Sequence, residues 1–215
     1  MTSFKQARIE SLLMTIDQLS MAKIRHLQQI HDLKSYSNAC RVMKQLSPYV
    51  HETTHDKEKV LYLNKEGRQL IGSTKEAKRN MTIEHILLCN EAYLYFNCPI
   101  DWKTEYVVEV KERVPSFDIQ FKGLSISDKK KVVADASFSR NGYFYLVEID
   151  NTRGMGDNKK KIESYVDVFP NIQDRNGLVP SLNVFTTNDS RKRKFEEWMK
   201  QQNLRGEVRT FDEVK

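Results

Sequence analysis

Val132-Val133-Ala134-Asp135-Ala136-Ser137-Phe138-Ser139-Arg140-Asn141-Gly142-Tyr143-Phe144-Tyr145-Leu146-Val147-Glu148-Ile149-Asp150 is the stretch that decides the fold. β-Branched and aromatic residues crowd both halves. Asn141-Gly142 between them is the dipeptide a type I′ turn requires, because both central residues of that turn need positive φ. The spacing predicts two strands, 132–138 and 143–149, joined as a hairpin. Asp135 stands alone in the apolar first strand, while Glu148 and Asp150 are two apart and share one face of the second. Carboxylates gathered at one end of a hairpin offer the hard oxygen ligands that Mg²⁺ takes.

A strand at 106–110 precedes the hairpin, and a helix over 83–96, opened by Thr82 and closed by Pro99, precedes that strand. A helix at 157–168, a buried strand at 181–186, a helix at 190–202 and a strand at 207–210 follow. The order α-β-β-β-α-β-α-β over 82–215 predicts a mixed α/β sheet with helices on its faces.

The first third reads differently. Ile9, Leu12, Leu13, Ile16 and Leu19 recur at three and four, one face of a helix. Ser20 is placed to cap a second helix, 21–29, with Met21, Ile24 and Leu27 at a spacing of three. Ser35 caps a third, 36–46, with Ala39, Val42, Met43 and Leu46 inward and Pro48 as its stop. Two short strands, 49–51 and 60–63, flank a charged tip at 52–59 that lacks Asn-Gly or Asp-Gly. A short helical turn, 64–71, completes the segment. Three helices and a hairpin predict a winged helix-turn-helix over 1–73, and the polar run that follows carries a linker at 74–81. The fold class is α+β / α/β, a winged helix followed by a mixed α/β domain.

The net charge of +6 is not spread evenly. Residues 1–80 hold 14 Lys and Arg against 8 Asp and Glu, whereas the remaining residues hold 21 of each. The excess therefore belongs to the predicted winged helix, which points to a polyanion partner, double-stranded DNA above all. In a helix-turn-helix the second helix of the pair enters the major groove. The outward face of the third helix carries Tyr36, Ser37, Asn38, Arg41, Lys44 and Gln45, and that helix has no acid. Arg pairs bidentately with guanine, Asn or Gln with adenine, and Lys, Ser and Tyr suit phosphates. Lys57 and Lys59, with His55, add donors at the hairpin tip. DNA binding by such a surface requires no cofactor.

No apolar run approaches the roughly 18–20 residues of a membrane span. The start MTSFKQARIESLL has no apolar stretch of signal-peptide type, and Cys40, Cys89 and Cys98 lack metal-ligand spacing. A cytoplasmic protein with free thiols and no membrane partner is expected. No G-x-S-x-G, P-loop or H-x-x-E-H motif is present. His85 reads as a packing residue. The runs Lys129-Lys130-Lys131, Lys159-Lys160-Lys161 and Arg191-Lys192-Arg193-Lys194 read as solvated turns and helix starts that can also meet phosphate.

The segments V-A-D-A-S-F, F-Y-L-V-E-I-D-N and N-K-K-K-I-E-S-Y resemble the replication-relaxation proteins of plasmids and mobile elements. The front end is similar too, through Val-Leu-Tyr-Leu-Asn-Lys-Glu-Gly-Arg and the helix with His85 and Asn90-Glu91. The resemblance covers almost the whole chain. It implies a role in plasmid replication or DNA relaxation, beside a relaxase or replication initiator, and a second domain of the restriction-endonuclease-like PD-(D/E)xK fold, with a homodimer also open.

That fold's active site takes an Asp on one strand, then an acid and a Lys two residues apart on the next. By the resemblance Asp135 takes the first place and Glu148 the second, but Asp150 stands where the Lys belongs and Ala134 where the Pro belongs. A metal site of Asp135, Glu148 and Asp150 would take Mg²⁺, and the amine would have to come from Lys159 or Lys161 of the next helix. An acid at position 150 argues for a degenerate domain: a DNA-binding accessory protein that does not cut DNA alone. The alternatives are a Mg²⁺-dependent endonuclease using Asp135, Glu148 and Lys161, and a repressor whose second domain dimerises.

Overall fold

The computed structural model describes residues 3–75, 82–110, 130–151 and 153–214, and these form a mixed α+β protein. Two compact units divide the chain, Met1–Cys98 and Pro99–Lys215.

The first unit begins with α1 (Ser3–Leu19), whose Ile9, Leu12, Leu13, Ile16 and Leu19 are all buried. Ser20 does not cap the next helix. It takes φ 63°, and the chain passes through a two-residue strand, β1 (Ala22–Lys23), before α2 (Ile24–Ile30). Both β1 residues are buried and pair with the hairpin, so the sheet overrides the helical spacing of Met21, Ile24 and Leu27. α3 (Tyr36–Met43) starts where Ser35 accepts the Asn38 amide, and a 3₁₀ turn (Lys44–Leu46) finishes it. β2 (Val50–His55) and β3 (Glu58–Leu63) run much closer to the tip than the sequence suggests. Asp56-Lys57 closes them as a two-residue turn with φ 48° and 63°. Asp tolerates that region better than most residues, which is how the turn forms without glycine. The sheet order is β1-β3-β2, all antiparallel. α4 (Lys65–Ile71) and α5 (Ile83–Tyr95) complete the unit.

The grouping of α5 with the first unit differs from the division at 74–81 read from the sequence; of that linker, 76–81 lie outside the described residues. The reason is polar. Asn90 Nδ2 donates to the Met21 carbonyl (2.6 Å), and Glu91 meets both Arg25 and His26 of α2.

The second unit is a five-stranded sheet in the order β4-β5-β6-β7-β8: β4 (Lys103–Val110), β5 (Lys130–Arg140), β6 (Tyr143–Asp150), β7 (Val179–Thr186) and β8 (Gly206–Thr210). β4, β5 and β6 are antiparallel, and β6, β7 and β8 are parallel. Asn141 and Gly142 turn the β5–β6 hairpin with φ 52° and 81°, as the dipeptide predicts. The two parallel steps need crossovers, supplied by α6 (Met155–Asn176) and α7 (Asp189–Gln201). α6 outruns its predicted end by two turns, through Pro170, because Val168 and Ile172 continue the buried stripe of Ile162 and Tyr165. Both helices cover one face, where Val132, Ala134, Leu146, Val184 and Val208 meet Ile162, Tyr165, Phe195 and Met199. Phe138 stacks on Tyr145 on the other face. At the start of β8, Gly206 (φ 152°) lies so close to β7 that a Cβ would stand 1.7 Å from the Leu182 carbonyl oxygen.

Candidate active site

β5 changes face once, and that change aims the first acid. Val132 and Ala134 belong to the helix-covered core together with Leu146, and the cross-strand partner of Leu146 is Ser137. Partners across a ladder point to one side, so Ala134 and Ser137 share a face although three residues apart. The strand therefore changes face between them. The β4–β5 ladder skips Glu105 and Asp135 at this point, and Glu105 takes φ 51°. The β5–β6 ladder stops at Ala136↔Val147. Beyond it the Asp135 side chain replaces the backbone pairing, its Oδ2 accepting the Ile149 N–H at 2.7 Å.

Glu148 lies next to that contact, 5% exposed, at the carboxyl end of β6. Tyr165 of α6 donates its hydroxyl to Glu148 Oε1, and Lys161 places Nζ 2.5 Å from Oε2. Lys161 and Tyr165 are one helical turn apart, so a single face of α6 reaches both oxygens. Burial pushes the Glu148 carboxyl up to about 8, the Asp135 charge adds to this, and the Lys161 and Tyr165 contacts pull it back. Burial and the Glu148 carboxylate raise the Tyr165 phenol. A carboxylate so placed gains from any neighbouring positive charge.

Asp150 faces the same helices but has other work. Its carboxylate accepts from Asn158 Nδ2 (2.7 Å), Thr186 Oγ1 (2.6 Å), and Arg191 Nε (2.6 Å) and Nη2 (2.5 Å). Arg191 Nη2 also donates to the Arg153 carbonyl (2.7 Å). One buried carboxylate thus fastens β6, β7, α6 and α7 together. The sequence reading places Asp150 with Asp135 and Glu148 as a metal ligand; the structure gives it four donor atoms instead, two of them from one guanidinium. Asp135 and Glu148 are the hard oxygen pair that suits Mg²⁺ or Mn²⁺, which commonly binds through one or two carboxylates and keeps several waters. Among the described residues no group of three His, Cys, Asp or Glu is arranged to hold an ion.

Of the two lysines that the sequence reading offers from the next helix, Lys161 meets Glu148, while Lys159 is exposed. Tyr165, Asn158, Thr186 and the pairing of Arg191 were not read from the sequence as site residues. The spacing of Asn158, Lys161 and Tyr165 at three and four was a usable signal for one helix face.

In the first unit, Tyr36, Ser37, Arg41 and Lys44 are exposed on and just after α3. Asn38 is half-buried: its Nδ2 donates to the Leu33 carbonyl (2.9 Å), and its Oδ1 accepts from Arg41 Nη2 (2.8 Å). Gln45 Oε1 accepts from Arg8 of α1 (3.1 Å). Lys57 is exposed on the hairpin turn, and Lys59 is paired with Glu52 at 2.8 Å. Of the three basic runs, Lys129 lies outside the described residues.

No helix among the described residues is long and apolar enough to cross a membrane. No family model matches the chain, and neither a curated protein nor a solved structure matches it significantly.

Proposed function

We propose that the chain is a duplex-DNA-binding protein of a plasmid or mobile element, serving replication or DNA relaxation, and that Asp135, Glu148 and Lys161 form a phosphodiester-cleaving centre in its second unit. The contact that carries this reading is Lys161 Nζ at 2.5 Å from Glu148 Oε2, beside Asp135. It puts two acids and an amine in one place, although position 150 of the strand is an Asp and not a Lys. The second unit, with its three antiparallel strands, helical crossovers and parallel strands, suits a restriction-endonuclease-like domain. The first unit, with order α1-β1-α2-α3-β2-β3 and sheet order β1-β3-β2, suits a winged helix-turn-helix with α3 as its reading helix.

The chemistry follows from the residues. Hydrolysis forms one bond from a water oxygen to phosphorus and breaks the bond from phosphorus to a sugar oxygen. A divalent ion held by Asp135 and Glu148 would supply Lewis acidity and an activated water. Lys161, as an ammonium, donates hydrogen bonds to the water or to the phosphate oxygens and offsets their charge. Asp150 needs no metal, because Arg191 neutralises it. Supercoiled plasmid incubated with the full chain and Mn²⁺ tests the reading: nicking that is lost in both Asp135→Asn and Glu148→Gln supports it, and intact plasmid contradicts it.

A second reading has its own observation. Both Glu148 oxygens already carry donors, which suits a DNA-binding accessory protein that positions DNA beside a relaxase or initiator without cutting it.

A further inference from the structure

Glu148 has its two oxygens held by two very different donors. Tyr165 is fully buried in the α6–sheet core, and its hydroxyl cannot leave Oε1 without moving that core. Lys161 approaches Oε2 from the rim; its side chain is 18% exposed and ends a flexible four-carbon stem. A divalent cation bound between Asp135 and Glu148 would need a Glu148 oxygen. Oε2 is the one whose present partner can move away.

An ammonium and a metal ion on one carboxylate oxygen repel each other strongly where water is scarce. A lysine ammonium, being a compact point charge, pairs as readily with a phosphate as with a carboxylate. Asp150 offers no alternative seat for the displaced amine, since Arg191, Asn158 and Thr186 occupy it. Resting on the reading of Asp135, Glu148 and Lys161 as a DNA-cleaving centre, we propose that Lys161 is a built-in cation that keeps this centre closed to divalent ions until DNA arrives. A backbone phosphate draws the ammonium off Glu148, and the freed oxygen becomes available to the ion. DNA and metal then strengthen each other's binding, as linkage requires of any such coupling. The same exchange would carry the lysine to the phosphate.

Calorimetric titration of Mn²⁺ into the full chain without DNA tests this. Lys161→Met, which keeps the length of the stem and removes the charge, should bind Mn²⁺ roughly tenfold more tightly than wild type, the scale of losing one competing ion pair. Lys161→Arg, which keeps a cation on the oxygen, should stay near wild type, and Glu148→Gln should lose the site. With a saturating short duplex, Mn²⁺ uptake by wild type, followed by electron paramagnetic resonance against a Glu148→Gln blank, should rise toward that of Lys161→Met without DNA. Lys161→Met binding no more tightly than wild type, or duplex leaving wild-type uptake unchanged, overturns the inference while the centre stands. Absence of Mn²⁺ binding in every variant, together with intact plasmid in the nicking assay, overturns the centre itself and the inference with it.

Discussion

Asp150 and Arg191 meet through two parallel hydrogen bonds, Nε to Oδ2 at 2.6 Å and Nη2 to Oδ1 at 2.5 Å, with the carboxylate side chain only 2% exposed. This fork-to-fork geometry is the strongest form of the arginine–carboxylate contact. It gives the acid at position 150 a buried partner of its own.

Asp150→Ala leaves the Arg191 guanidinium, Asn158 and Thr186 without their common acceptor. Removing one partner of a buried pair costs about 3–5 kcal/mol. Urea unfolding of the full chain should show a loss of that order, and Arg191→Lys, which keeps charge but not the fork, a smaller one. If Asp150→Ala unfolds at the wild-type midpoint, the carboxylate is no fastening point.

The His26–Glu91 pair should make the first unit acid-sensitive. Burial lowers the His26 pKa, and the ring fits the neutral form: Nδ1 accepts the Lys23 N–H (3.4 Å), which leaves Nε2–H to donate to Glu91 (2.9 Å). Burial alone would raise Glu91, but bonds from His26 and Arg25 outweigh it and hold the carboxyl at about 2. Both folded-state pKa values lie below the unfolded ones, so the unfolded chain binds more protons and stability rises with pH, being lost on acidification. The His26 contribution is present above about 6.5 and is lost as pH drops through its lower folded value. The Glu91 contribution follows between 4.5 and about 2. Thermal melts of a 1–98 fragment from pH 7 to 3 should show this decline, and His26→Gln should flatten its upper part. A 1–75 fragment, lacking Glu91 and Asn90, should melt lower than 1–98 at pH 7; equal melting of the two would mean that α5 is no part of the unit.

DNA binding should depend on the exposed cations at α3. Arg41→Ala should cost about 1–3 kcal/mol if the guanidinium reads a base, and Asn38→Ala, by releasing Arg41, should share part of that loss. Lys44→Ala should weaken binding to all sequences and lower the salt slope by about one. Fluorescence anisotropy across a salt series measures both. Slopes and affinities unchanged in all three variants would remove α3 from the interface.

The β5–β6 hairpin, the crossover helices and the order of elements along the second unit were legible because strand alternation and the Asn141-Gly142 turn are local signals. β1 was not, since two residues carry no periodicity and are set by pairing with Val60 and Leu61. The extension of α6 through Pro170 was hidden for a related reason: tertiary burial of Ile172 outweighs a local breaker. At the site, Asp135 and Glu148 were readable from strand position. The partners of Glu148 and Asp150 come from elements 8 to 41 residues away, and contact at that range follows from how α6 and α7 dock rather than from motif spacing.

Comparison of Lys161→Met with Lys159→Met in the plasmid-nicking assay with Mn²⁺ tests the centre most directly, because the sequence offers both lysines and the fold brings Lys161 to Glu148. The expected result is nicking by wild type and by Lys159→Met, with none by Lys161→Met even at protein concentrations that saturate the plasmid. Equal nicking by the two variants, or no nicking by wild type, would contradict a centre built on Asp135, Glu148 and Lys161.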